Sequence, residues 1–194
     1  MRNLEKSIKV DRPLRMCYNQ WTQFEEFPRF MQGVKSVEQV DDKTLRWTAQ
    51  IGGKEKSWEA QITYQKPDER VAWRSTAGPL QEGSVAFEAL GPEACVIRLV
   101  VSFEPEGADE TLGTALGIVG ARIEGDLRRF KEFIERRPAE TGAWRGEIRN
   151  RAVTRSGAAA SRRPGPRKSA AKTAASSTAR KRVADRGGRS TVRR

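Results

Sequence analysis

Residues 109–137 read DETLGTALGIVGARIEGDLRRFKEFIERR. Leu112, Leu116, Val119, Ile123, Leu127, Phe130 and Ile134 recur at steps of three or four, which draws one apolar stripe along an α-helix. Glu110, Arg122, Asp126, Arg129 and Glu132 fall largely off that stripe. At about 1.5 Å per residue the helix would run roughly 40 Å. Gly113, Gly117 and Gly120 form an adjacent stripe without side chains. Each glycine costs about 1 kcal/mol relative to alanine. The first half of the helix therefore tolerates them, needs close backbone approach, or borders open space. A helix this long and one-sided needs an apolar surface to lie on.

Upstream residues supply that surface. RWTAQI (46–51) and KEKSWEAQITYQ (54–65) flank Gly52-Gly53, a two-residue hairpin signal. The loop length sets Trp47 opposite Trp58 and Arg46 opposite Glu59. One face then carries Leu45, Trp47, Ala49, Ile51, Trp58, Ala60, Ile62 and Tyr64, and the other carries polar residues. One dry and one wet face mark an antiparallel sheet covered on one side. A strand over 34–40, joined through 41–43, puts Val37 opposite Trp47. A four-residue loop over 66–69 sets Trp73 against Ile62 and Arg74 against Gln61. Strands over 83–89 and 95–103 follow.

Before the hairpin, residues 5–10 read as a first strand, broken by Asp11-Arg12-Pro13. Residues 18–31, YNQWTQFEEFPRFM, hold aromatics at steps of three, more in the manner of a core stripe than of a ligand box. Pro28 divides them into two short helical pieces. Seven strands, two short helices after the first and one long helix after the last predict an α+β domain with the helix on the sheet's dry face. Gaps between a twisted sheet and a helix become core or cavity according to how the aromatics fill them.

The formal charge of +12 is unevenly spread. Residues 1–148 hold 22 Lys+Arg against 24 Asp+Glu; residues 149–194 hold 15 Lys+Arg and one acid, Asp185. A near-neutral body (1–137) thus leads through a linker (138–148) into a basic tail (149–194). That tail is too poor in large apolar residues to offset its ordering entropy, so disorder is expected there. No run approaches the 18–20 apolar residues of a membrane span, and the N-terminus lacks a secretory signal's apolar core. Cys17 and Cys95 are too few for a disulfide framework, which favours a cytoplasmic setting. There is no histidine. Ser-His-Asp and Cys-His nucleophile systems and HExxH zinc sites are therefore excluded within the chain. Neither a phosphate loop nor a dinucleotide fingerprint is present. No cofactor or metal is called for.

The element order, with WTQFEEFPRFM (21–31), DDKTLRW (41–47), KSWEAQI (56–62), PDERVAW (67–73) and GDLRRFKEFIE (125–135), resembles the helix-grip fold of the START and polyketide cyclase/dehydrase superfamily (SRPBCC). The resemblance covers about residues 3–137. It implies a deep apolar cavity between sheet and long helix, lined on matching positions by Trp21, Phe24, Phe30, Trp47, Trp58, Trp73, Phe87 and Ile123. Inward positions are almost all apolar, Tyr64 and Ser75 being the exceptions.

Three functions fit these features. The first is carriage of a lipid-, quinone- or polyketide-like molecule, similar to the superfamily's lipid-transfer and coenzyme Q-binding members, with burial of apolar surface as the driving force. The second, weighed down by the absence of histidine and of inward acid/base groups, is a cyclase/dehydrase-like enzyme that folds a reactive chain by positioning. The third is a polyanion-associated protein whose body is only a scaffold. For that role Arg162, Arg163, Arg167, Lys168, Lys172, Arg180, Lys181 and Arg182 would contact phosphates without reading bases, which extends the expected setting to the nucleoid. A solubilising tail and an anionic membrane surface are the alternatives for those charges.

Overall fold

Arg46 and Glu59 face each other across the central hairpin, as do Trp47 and Trp58. A one-residue slip would set apolar against polar along the whole ladder, so alternation and loop length together fix this register. The computed structural model describes residues 2–51, 53–77, 81–103, 112–149 and 152–154. Along the chain lie β1 (Arg2–Val10), α1 (Leu14–Trp21), a 3-10 helix (Phe24–Arg29), β2 (Val34–Gln39), β3 (Thr44–Ile51), β4 (Lys54–Lys66), β5 (Arg70–Ala77), β6 (Gln81–Gly91) and β7 (Ala94–Phe103). The long helix α2 (Leu112–Glu135) follows, then β8 (Glu147–Arg149) and β9 (Ala152–Thr154).

Seven strands form an antiparallel sheet in the order β1-β7-β6-β5-β4-β3-β2. The expected pairs Val37–Trp47 and Ile62–Trp73 are present. The described strands number nine rather than seven, because β8 pairs with β4 at Gln65–Ile148 and β9 pairs with β8. Both extra strands are three residues long, too short for a period-two pattern to register.

Helix α2 is tied along both flanks. On the β1 side Glu124 takes a bond from Lys6 (3.1 Å), Lys131 donates to the Lys9 carbonyl (2.9 Å), and Glu135 accepts from the Asp11 amide (2.7 Å). On the other side Arg122 donates to the Gln32 carbonyl (2.5 Å), Asp126 accepts from the Gln32 amide (2.9 Å), and Arg129 donates to the Phe30 carbonyl (2.8 Å). Inside this clasp Trp21, Phe27, Phe30, Phe87 and Phe130 meet ring to ring, with Trp21 and Phe130 centroids 4.9 Å apart. Edge-to-face contacts of this kind add about 0.5–1.5 kcal/mol beyond area burial. At Gly117 and Gly120 close backbone approach is not the reason for glycine, while the surroundings of Gly113 lie outside the described residues. A methyl group on Gly117 would meet nothing within 4 Å, and one on Gly120 would meet only the Lys6 stem at 3.9 Å.

Two sequence expectations are corrected here. The segment 138–148 is not a linker. It lies as a strap across α1: Thr141 and Gln20 bond reciprocally (both 3.0 Å), Asn19 donates to Glu140 (2.8 Å), and the Trp144 amide donates to the Thr22 hydroxyl (3.0 Å). Trp144 and Ile148 are buried. The fold continues through β9 to Thr154, inside the stretch read as tail; the tail residues from Arg162 onward lie outside the described residues.

The second correction concerns Tyr64. The β4–β5 connection closes at Lys66–Arg70, one residue shorter than expected, and a bulge between Ile62 and Tyr64 takes up the difference. Pro67 and Asp68 occupy the centre of that turn, and Asp68 adopts φ +62°, a conformation that aspartate tolerates better than most residues. Beyond the bulge the alternation reverses. Gln65 is buried, whereas Tyr64 turns outward to donate to Glu69 (2.9 Å) beneath the Arg70 guanidinium. Tyr64 is therefore not an inward polar group.

Candidate ligand-binding site

The sheet's concave face has two halves. At the end where β1 leaves the sheet, Val10, Cys95, Ile97, Val71 and Phe87 lie under Tyr18, Trp21, Phe130 and Ile134, all buried. Of the expected lining residues, Trp21, Phe24, Phe30, Phe87 and Ile123 belong to this packed cluster, none more than 9% exposed. Trp47, Trp58 and Trp73 lie on the same face of the sheet but remain partly exposed. The Trp47 and Trp58 rings stack at 5.8 Å with 9° between their planes, and Trp47 also reaches Phe27 (5.7 Å).

Trp73 owes its position to a glycine. Leu4, Val101, Gly83, Trp73 and Ile62 form one cross-strand row. A methyl group on Gly83 would come within 2.6 Å of Trp73 Cζ2 and 2.7 Å of the Val100 carbonyl oxygen. The indole therefore rests on bare backbone. Around the three tryptophans the sheet contributes Ala49, Ala60 and Ser75, all buried. With these small side chains buried, the partly exposed indoles make up the aromatic surface at this end of the face, a tryptophan floor. Ser75 accepts from the Gln81 amide (2.9 Å), which joins β5 to β6 at this end. On the outside, an open depression of about 300 Å³ lies between the 28–34 segment and Arg129.

Inward polar groups are few. Gln65, which the alternation pattern had placed outward, donates to the buried Tyr18 hydroxyl (3.1 Å). Burial raises the Tyr18 pKa, opposed by that bond and by Arg145. Lys6 shares the inward parity of Leu4, Ile8 and Val10, and its ammonium meets Glu124. In sequence, Lys6 reads as a break in an otherwise apolar alternation (4, 6, 8, 10), the signal that could have singled it out. Cys17 and Cys95 are fully buried free cysteines, and the neighbouring Cys95 together with burial pushes the Cys17 thiol up. Among the described residues no three His, Cys, Asp or Glu side chains are grouped to hold a metal ion, and no helix is long and apolar enough to cross a membrane.

On the convex face the charges are paired across strands: Glu38–Arg46–Glu59, Lys35–Glu55, Arg74–Glu82 and Glu5–Arg98. Such exposed pairs contribute little stability, but they leave that face close to neutral.

Comparison with known proteins places these features in context. The family described as polyketide cyclase/dehydrase and lipid transport matches residues 10–132. An uncharacterized 17.2 kDa protein from the melC2-rnhH intergenic region of Streptomyces lincolnensis is 44% identical over 149 residues, 76% of this chain and 99% of that one. About a quarter of the present chain thus has no counterpart there. Among solved structures, the Zhui aromatase/cyclase of Streptomyces sp. R1128 superposes with a TM-score of 0.62 at 16% identity, covering 74% of this chain and 99% of that one. A Deinococcus radiodurans protein gives 0.54 at 26% identity over 68% and 95%. A START superfamily protein from Mycobacterium smegmatis gives 0.61 at 13% over 69% and 97%.

Proposed function

This chain belongs to the polyketide cyclase/dehydrase and lipid transport family, and from that premise we propose that it binds a hydrophobic small molecule between the concave sheet and the first half of α2. The observation that carries the reading is the contrast between the two halves of one face. Trp47, Trp58 and Trp73 stay partly exposed while the aromatics at the other end are buried against one another. Apolar surface left in water costs about 25 cal/mol per Å², and a guest that covers the tryptophans recovers it. Carriage suits the site better than catalysis. Its inward polar groups already have partners, Ser75 with the Gln81 amide and Gln65 with Tyr18.

Native mass spectrometry of the purified chain, followed by titration with an apolar fluorescent probe, tests the reading. A co-purified lipid-, quinone- or polyketide-like mass that the probe displaces is expected. Trp58→Ala should weaken probe binding. A site that takes up no probe and carries no ligand would remove the proposal.

The basic tail supports a second, separate role. With the body's convex charges paired, the 15 Lys+Arg of residues 149–194, Arg162, Arg163, Arg167, Lys168, Lys172, Arg180, Lys181 and Arg182 among them, are where a polyanion would bind. Nucleic-acid retardation that disappears on truncation after Thr154 and falls steeply with salt is the expected result. Retardation that persists in the truncated chain would count against it.

A further inference from the structure

Lys6 is a charged residue that β1 turns toward α2, and we propose that its ammonium receives the anionic head of an amphiphilic ligand, a carboxylate, whose apolar body lies on the tryptophan floor. This deepens the ligand-binding reading above and rests on it.

Three observations carry the proposal. Exposure alternates strictly along β1, with residues 3, 5, 7 and 9 out and Leu4, Lys6 and Ile8 turned in. A charge at an inward strand position is the informative exception in an otherwise apolar face. Second, the Lys6 stem lies beside the bare backbone of α2 at Gly120, where a Cβ would meet it at 3.9 Å, an ordinary contact distance. Third, the partner of Lys6 does not depend on it. Glu124 bonds Lys6 through Oε2 (3.1 Å) and Arg128 through Oε1 (3.2 Å). An ammonium has three donors, and Glu124 takes one of them. Lys6 can therefore serve a second carboxylate without orphaning the first.

The geometry also sets a ligand length. Lys6 pairs with Leu99, one row along from the row that holds Leu4, Val101, Gly83 and Trp73. Three inter-strand steps of about 4.8 Å and a two-residue offset of about 6.8 Å along the strands put roughly 16 Å between the backbone positions of Lys6 and Trp73. That suits a medium or long acyl chain, or a fused-ring body of similar length, bearing one acidic end.

The test compares cis-parinaric acid with its methyl ester by fluorescence titration of the full-length protein at low salt. The acid should bind about fivefold more tightly than the ester, the upper end for a partly exposed ion pair. Lys6→Met, which keeps the apolar stem, should abolish that preference. Glu124→Gln should strengthen acid binding, the opposite sign to Lys6→Met. Equal binding of acid and ester by the unmodified chain overturns the headgroup assignment while the apolar site stands. A preference that survives Lys6→Met assigns the acid to other cations, the tail included, and also overturns it. If neither probe binds, the ligand-binding reading falls and this inference falls with it.

Discussion

Arg145 holds both carboxylate oxygens of Asp68, at 2.8 and 2.5 Å, across 77 residues of chain. The same guanidinium donates to Asn19 (2.9 Å) and lies over the Tyr18 ring. One side chain of the strap thus joins α1 to the β4–β5 turn, and it does so at the one described non-glycine residue with positive φ. A bidentate pair of this kind is the strong form of an ion pair, since geometry and charge act together. Asp68→Asn keeps a residue that tolerates the left-handed conformation but removes the charge. Arg145→Ala removes the fork. Each is expected to cost about 1.5–3 kcal/mol in chemical denaturation, with the double variant costing clearly less than the sum. Additive losses would show that the two residues act independently.

The strap sets the lower boundary of the folding unit. A chain ending after Thr154 should melt within a degree or two of the full-length protein. A chain ending after Arg137 loses Trp144 and Ile148, each contributing about 1.5–3 kcal/mol by burial. It also leaves Asn19, Gln20 and Thr22 without the partners described above. It should unfold at a markedly lower temperature, read by differential scanning calorimetry. Equal melting of the two truncations would contradict the strap's role.

Gly83 tests the tryptophan floor from beneath. Alanine there meets a ring and a backbone carbonyl that cannot both yield. Gly83→Ala should destabilise by about 1–3 kcal/mol and shift the Trp73 fluorescence maximum.

The two kinds of aromatic residue should part under substitution. Trp21→Ala opens a hole among Phe27, Phe30, Phe87 and Phe130 and should cost about 3–5 kcal/mol. Trp58→Ala touches a partly exposed ring, so its effect should fall on apolar-probe affinity much more than on the melting temperature. The reverse order would place the open half of the face elsewhere.

Stability should be flat between pH 6 and 8, because no histidine titrates there. At the acid end the pKa of Glu124 is lowered chiefly by its bond to Lys6, that of Glu69 by Lys66, and that of Asp41 by the Lys43 amide. Carboxylates held below their unfolded values contribute stability that is present above those values and lost as pH falls through them. At the alkaline end burial raises Tyr18, so the unfolded chain ionises first and stability should decline as pH climbs past the ordinary tyrosine value. Melting curves across the range check both limbs.

The sequence by itself determined the register of β2, β3 and β4 and the helix that packs on the sheet. Loop length and alternation are local properties, so Trp47–Trp58 and Val37–Trp47 could be paired on paper, and the three-four spacing of Ile123, Leu127, Phe130 and Ile134 fixed which side of α2 turns inward there. The helix-grip order followed from those elements. What the tertiary structure alone decided were contacts between distant segments. A bulge at Ile62–Tyr64 exchanged Tyr64 for Gln65 on the inner face, because a tight turn held by Arg145 left one residue to absorb. The strap over 138–149 carries no periodicity and is held by side chains more than 70 residues upstream. Whether an inward tryptophan ends as core or as binding surface depends on what lies across from it, and no local pattern records that.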